Sequence, residues 1–339
     1  MAVSGLLVLV SFAIILSAAE LFTNSIEWFG HRLGISEGAV GSVLAAVGTA
    51  MPETMIPLIA ILFVGSADST EIGIGAILGA PFLLSTAAFA VTGFGVIGFA
   101  KRRTSGRVLQ LDSELIKRDL GYFFVVYLFA IAASFIPWHP AKLAVVAILL
   151  GLYGYYLYRT FNDETQAVQE EDVLSPLYTH RLLGGHLTAP PTPLILIQVG
   201  VALALMIGGA QLFVTGIEDV ASHLGVPALA LSLVLAPLAT ELPEKVNSVL
   251  WVRQGKDTLA MGNISGAMVF QSCIPVAVGI AFTHWNLEET ALVSAAITLV
   301  STGLVYFSIR RQGFLSAGVL ARSIVFWAAF VIYVGIKVI

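Results

Sequence analysis

Charge is scarce in this chain. Asp, Glu, Lys and Arg make up 11% of its 339 residues, while 58% are hydrophobic. A soluble domain carries about 25% charged residues. The composition therefore excludes a water-soluble globule, because no soluble core could hide that much apolar surface. Cysteine is almost absent too. Cys273 stands alone, which excludes a disulfide framework and a cysteine-rich metal site. The six histidines (His31, His139, His180, His186, His223 and His284) fall near loops without metal-ligand spacing. No HExxH and no nucleophile–base set occurs, so an intramembrane enzyme finds no support. Basic residues are missing before Arg32, so "MAVSGLLVLVSFAIILSAAELF" lacks the positive start of a signal peptide. It reads as a retained first transmembrane helix.

What the chain has instead is long apolar runs. A bilayer core takes roughly 20 apolar residues per helix. Ten segments qualify, at about 4–29, 38–64, 70–98, 119–137, 140–158, 193–221, 227–252, 258–282, 289–309 and 318–338. Numbered in order, the odd loops hold Arg32; Lys101, Arg102, Arg103, Arg107, Lys117 and Arg118; Arg159 and Arg181; Arg253 and Lys256; and Arg310 and Arg311. The even loops and termini hold only Lys142 and Lys337, with Lys245 and Arg322 inside helices. The positive-inside rule then places the odd loops in the cytoplasm and both termini outside, in a plasma (inner) membrane. Trp28, Trp138, Trp251 and Trp285 fall near helix ends, where an aromatic belt is expected.

The chain repeats itself. "AAELFTNSIEWFGHRLGIS" from Ala18 matches "GAQLFVTGIEDVASHLGVP" from Gly209, an offset of 191 residues. The same offset pairs "GTAMPE" with "ATELPE", Pro52 with Pro243 and Glu53 with Glu244. Further on, "GAILGAPFLLS" from Gly75 matches "GNISGAMVFQS" from Gly262. Each half holds five helices, an odd number, so the second copy enters the membrane from the opposite side. Inverted repeats of this kind build secondary transporters around a midplane site of broken helices. The expected architecture is all-α: a first repeat at 1–158, a cytoplasmic linker at 159–192, and an inverted second repeat at 193–339, with helices 2 and 7 kinked. The linker carries Asp163, Glu164, Glu170, Glu171, Asp172 and "APPTP", and reads as a solvated connection; a regulatory cation site is the lesser reading.

Proline removes a backbone donor and frees a carbonyl. Lipid offers no donor in exchange. A bound cation can take the freed carbonyl, and the glutamate after each proline supplies charge. An ionisable group inside a membrane helix is expensive and usually functional. Two carboxylates and bent-helix carbonyls suit a hard cation with oxygen ligands. Glycines at small-xxx-small spacing let helices approach closely, and here they are expected to bring helices 3 and 8 against helices 2 and 7.

With these motifs the chain resembles the sodium/calcium exchanger family, whose repeat reads G-T-S-x-P-E followed by G-N-x-x-G-S-N and a further polar residue. The resemblance implies that Glu53 and Glu244 bind the transported metal, with Thr49 and Thr240 adding oxygen ligands. It also marks departures: Ala50 and Glu241 replace serines, as do Ala80 and Ala267, while Leu84 and Gln271 take the later polar position. Gln271, Asn263 and Ser85 are thus candidates for further ion contacts, together with Glu241 and Lys245. The last two stand four apart, in the order that favours a helical ion pair. Alternatively, Lys245 serves as a tethered cation or Glu241 as a third carboxylate. Glu20 and Gln211, partners in the repeat, either sit on an ion path or bridge helices.

The resemblance implies a cation antiporter working by alternating access, with calcium against sodium as the first expectation. The missing hydroxyls keep coupling to protons open, with Glu53 and Glu244 protonated on the return step. A membrane scaffold or sensor that kept the fold is the alternative of another class. No cofactor is expected beyond the transported ions (Ca2+, Na+ or H+), and the partners are small inorganic cations and the lipid bilayer, not nucleic acid.

Overall fold

The computed structural model describes residues 2–32, 51–163, 175–182 and 190–338. Its helices are α1 (Ala2–Arg32), α2 (Met51–Ile59), α3 (Ala67–Leu83), α4 (Phe89–Phe99), α5 (Ser113–Ala133), α6 (His139–Asp163), α7 (Tyr178–Leu182), α8 (Thr192–Leu224), α9 (Ala228–Arg253), α10 (Asp257–Phe282), α11 (Glu289–Gln312), α12 (Ala317–Arg322) and α13 (Ile324–Val338). A π-helical turn at Ala60–Val64 extends α2, and another at Leu84–Ala88 joins α3 to α4. Each expected span meets a helix at its residues, although positions 38–50 lie outside the described residues. Among the described residues, seven helical stretches are long and apolar enough to cross a membrane; Pro52–Val64 and Ala228–Leu238 are apolar but shorter.

Local chemistry sets the boundaries. Ser66 accepts the backbone N–H of Ser69 to start α3, and Asp112 accepts those of Glu114 and Leu115 to start α5. Gly225 and Gly313 close α8 and α11 in the left-handed conformation. Pro81 sits inside α3, three residues before the π turn, where its missing N–H has already loosened the helix ladder. Helix α9 is assigned as one unbroken helix across Pro237 and Pro243, whereas a kink is expected from the sequence.

The loops sort into two groups. In one, strands β1 (Val108–Leu109) and β2 (Leu315–Ser316) pair antiparallel, and Asp112 N–H donates to Thr258 Oγ1 at 2.9 Å. Arg103 forms a bidentate pair with Asp257, with N–O distances of 2.8 and 2.5 Å, and also donates to the Val252 carbonyl at the end of α9. The loops after α4, α9 and α11 are thereby stitched together. Loops one and five meet in the same way, through Trp28 Nε1 to the Ser175 carbonyl (2.8 Å) and Arg32 to the Pro190 carbonyl (2.9 Å). Among the even loops, Lys142 Nζ donates to the His284 carbonyl and to Asn286 Oδ1 (3.1 Å). Lys337 pairs there with Glu289 at 2.9 Å. Contacts run odd to odd and even to even, the grouping that alternating spans require.

The same region corrects the reading of Trp285. It is not a belt residue: it is 0% exposed, with its indole N–H donating to the Ala130 carbonyl at 2.9 Å. Its ring lies where a Cβ on Gly279 would stand 2.4 Å away, so the glycine of α10 makes room for it. Its backbone φ of 45° is unusual for a residue with a bulky side chain.

Two hydrophobic clusters result. The smaller joins α1, α2, α8 and the start of α9, including Ile15, Ile56, Ile59, Phe213 and Ala236. The larger holds α5, α6, α10, α11 and the ends of the molecule around them, including Phe82, Phe123, Met268 and Trp285. Helices α1 and α8 pack through Gly209 against Ile15 and Gly216 against Val8. Helix α3 lies between the clusters, contributing Ile72 and Ala76 to the smaller and Ile77 and Leu78 to the larger.

Candidate cation site

Close approach of two helices builds the site. A Cβ on Gly79 of α3 would fall 2.2 Å from the Leu233 carbonyl of α9 and 2.7 Å from the Pro237 ring. On Gly75 it would fall 2.5 Å from the Leu229 carbonyl. Only glycine permits this spacing. Pro237 has no N–H for the Leu233 carbonyl four residues earlier, and Gly79 fills the space beside that oxygen. The expected pairing of helix 3 with helix 7 is therefore present. Helix 8 also meets helix 7, through Gln271 and Glu241, but its Gly262 and Gly266 look instead toward Leu115 of α5 and Tyr156 of α6.

Beside this contact lies a small cavity lined by Glu53 and Ile56 of α2, Ala76 and Ala80 of α3, and Ala236, Pro237 and Thr240 of α9. Glu53 is 6% exposed and Thr240 4%. Thr240 Oγ1 donates to the Ala236 carbonyl at 3.2 Å, which leaves the oxygen lone pairs for another partner. One carboxylate from the first copy and one hydroxyl from the second thus share a pocket that is otherwise apolar. Low local dielectric strengthens any ion–carboxylate attraction there.

Next to Thr240, the buried Glu241 accepts a hydrogen bond from the Gln271 amide of α10. Gln271 reaches it from another helix; the expected pairing of Glu241 with Lys245 involves a side chain outside the described residues. Gln271 Oε1 and Ser272 Oγ, both buried, have no hydrogen-bond partner among the described residues. Ser85 does not line the cavity. It lies in the π turn, where its hydroxyl donates to the Phe82 carbonyl at 3.1 Å and its own carbonyl accepts from Ser301. Asn263 is half-buried on α10, eight residues and roughly 12 Å of helix before Gln271. Thr49 lies outside the described residues, as do the side chains of Glu244 and Lys245.

Sequence reasoning missed Pro237, Ala236 and Ile56. Pro237 had a signal, being a second proline within one apolar span. Another buried carboxylate, Asp119 of α5, accepts from Ser265 at 2.8 Å and from its neighbour Arg118 at 3.2 Å, so the second glycine-rich segment is held to α5 by a polar link. Glu20 bridges to the linker, accepting the Tyr178 hydroxyl at 2.6 Å.

The fold is thus a bundle of membrane-length helices with a buried carboxylate lining a cavity between α2, α3 and α9. The family model for "Sodium/calcium exchanger protein" matches residues 3–162 and 194–338, and the chain belongs to that family. It is 25% identical to "Putative antiporter CaxA" of Alkalimonas amylolytica, over 92% of this chain and 93% of that protein. It is 23% identical to "Uncharacterized membrane protein MJ0091" of Methanocaldococcus jannaschii, over 85% and 84% respectively. Its fold matches the H+/Ca2+ exchanger CAX with a TM-score of 0.73 at 17% identity, covering 99% of this chain and 84% of that one. It matches the sodium-calcium exchanger NCX_Mj with a TM-score of 0.55 at 18% identity, covering 97% and 98%. The chain is a membrane transporter and not an enzyme.

Proposed function

We propose that this protein exchanges Ca2+ for Na+ across the membrane by alternating access, with Glu53 and Thr240 holding the cation. The observation that carries the reading is the cavity they share, since it joins one ligand from each copy of the repeat. Glu244 and Thr49 complete the ligand set in this reading. Ten spans in two inverted halves, 1–158 and 193–339, give the site its two-fold character, with 159–192 as the cytoplasmic linker and both termini outside. An empty buried carboxylate is costly, so the carrier reorients when a cation or protons fill the site, and that requirement couples the two fluxes.

One observation favours protons over sodium as the counter-ion. The first copy contributes Ala76, Ala80 and Ile56 to the cavity, none of which carries an oxygen ligand on its side chain. A proton needs only a carboxylate, whereas sodium needs several oxygens. Reconstituted vesicles decide: an imposed sodium or proton gradient drives calcium uptake, and Glu53→Gln abolishes it. Uptake that Glu53→Gln leaves unchanged would contradict the site, and uptake under a proton gradient alone would select the second reading.

A further inference from the structure

Residues 175–182 of the linker are anchored to α1 and α8 by side-chain hydrogen bonds. Tyr178 N–H donates to Asn24 Oδ1 of α1 at 3.2 Å, and the Tyr178 hydroxyl to Glu20 of α1 at 2.6 Å. Asn24 Nδ2 donates to the Ser175 carbonyl at 3.3 Å, and Trp28 Nε1 to the same carbonyl at 2.8 Å. From α8, Gln198 Oε1 accepts both the N–H and the hydroxyl of Thr179, each at 2.9 Å. Gln198 Nε2 then crosses to α1, donating to the Leu21 carbonyl (2.9 Å) and to Asn24 Oδ1 (3.0 Å). Gln198 is 0% exposed and Leu177 only 1%.

These bonds share one property. Among the described residues, the hydrogen bonds of 175–182 to helices reach α1 or α8, the pair at the centre of the smaller hydrophobic cluster. None ties that pair to the larger cluster. A solvated linker does not need a fully buried glutamine that uses both its amide nitrogen and its oxygen. The pair itself is long: 31 and 33 residues, or about 45–50 Å each at 1.5 Å per residue. That exceeds the roughly 30 Å hydrocarbon core, so the helices tilt or protrude. Gly209 and Gly216 seat Ile15 and Val8 in the apolar seam of the pair, and the linker's hydrogen bonds add directional polar contacts that define one register.

We propose that residues 175–182 are a strap that fixes the register of α1 against α8, with Gln198 and Tyr178 as positioning residues, so that the pair moves as one body during transport. The inference rests on the alternating-access reading given above. The strap acts on the rate of reorientation and not on cation affinity, because the Glu53–Thr240 cavity includes none of its residues.

Two variants test it in reconstituted vesicles, Gln198→Leu and the milder Tyr178→Phe, which loses one hydroxyl from a partly exposed residue. Maximal calcium flux falls roughly five-fold or more in Gln198→Leu and less in Tyr178→Phe, with the calcium KM unchanged. Unaltered flux in both, or a shifted KM with unaltered maximal flux, would overturn the proposal. A second measurement does not depend on transport. Spin labels at Val3→Cys on α1 and Leu196→Cys on α8, both exposed, report the diagonal distance along the pair, while Cys273 is buried. The distance distribution broadens in Tyr178→Phe and Gln198→Leu; an identical, narrow distribution overturns the strap even if the wild type carries no calcium. Absence of flux in the wild type would instead count against the exchanger reading.

Discussion

The amide of Gln271 donates to the carboxylate of Glu241, joining α10 to the helix that carries Thr240. Both residues are buried. Repeat symmetry places Ala50 and Leu84 at the corresponding positions of the first copy, so this polar pair has no counterpart there. Among the described residues of the proposed site, the second copy thus adds Thr240, Glu241 and Gln271, while the first supplies Glu53 beside Ile56, Ala76 and Ala80.

Gln271→Leu removes the amide donor from a buried carboxylate. The expected loss is about 1–3 kcal/mol of stability, read as a lower midpoint of thermal unfolding in detergent. Gln271→Asn, which keeps the amide but shortens its reach, recovers only part. Equal midpoints for Leu and wild type would show that the bond contributes nothing.

Arg103→Ala leaves Asp257 buried beside the end of α9 without its counter-charge. Breaking such a pair from one side costs about 3–5 kcal/mol. Lysine does not rescue it, because the guanidinium serves Asp257 from Nη1 and Nη2, Val252 from Nη1 and Gly106 from Nε, a fork that one ammonium cannot reproduce. By contrast, Lys117→Ala removes a pair whose glutamate side chain is 87% exposed, and the change should stay within about 1 kcal/mol. Thermal unfolding of the three variants orders them.

Gly79→Ala forces a methyl against the Leu233 carbonyl and spreads α3 from α9. Overpacking of this kind costs about 1–3 kcal/mol, and the spreading falls beside Ala80 and Thr240, so calcium flux falls with it. Gly121→Ala is the control, since a Cβ there meets nothing within 4 Å. A harmless Gly79→Ala would contradict the close approach.

The helices were legible because lipid demands long apolar runs, and basic residues marked which loops belong together. Glu53 stood out because a proline–glutamate motif inside an apolar span has no cheap structural use, and Thr240 through the resemblance to the exchanger repeat; both line the cavity. Other features depend on what another helix brings. Helical spacing offered Lys245 as a partner for Glu241, but it could not show that Gln271 also reaches that carboxylate from thirty residues further along. Trp285 looked interfacial because it stands at a helix end, and Lys142 was read only as a loop charge, but Gly279 and the carbonyls of the 284–286 loop draw them inside. The linker looked solvated by composition, and Gln198, a lone amide in an apolar run, was the overlooked sign that part of it docks.

Calcium binding to the purified protein tests the two-half site most directly. Isotope-labelled calcium binds the wild type, while Glu53→Gln and Thr240→Val each weaken binding; the carboxylate loss is the greater, on the order of 100-fold if about 3 kcal/mol of charge interaction is removed. Binding by Glu53→Gln at wild-type strength would place the cation elsewhere and contradict the account.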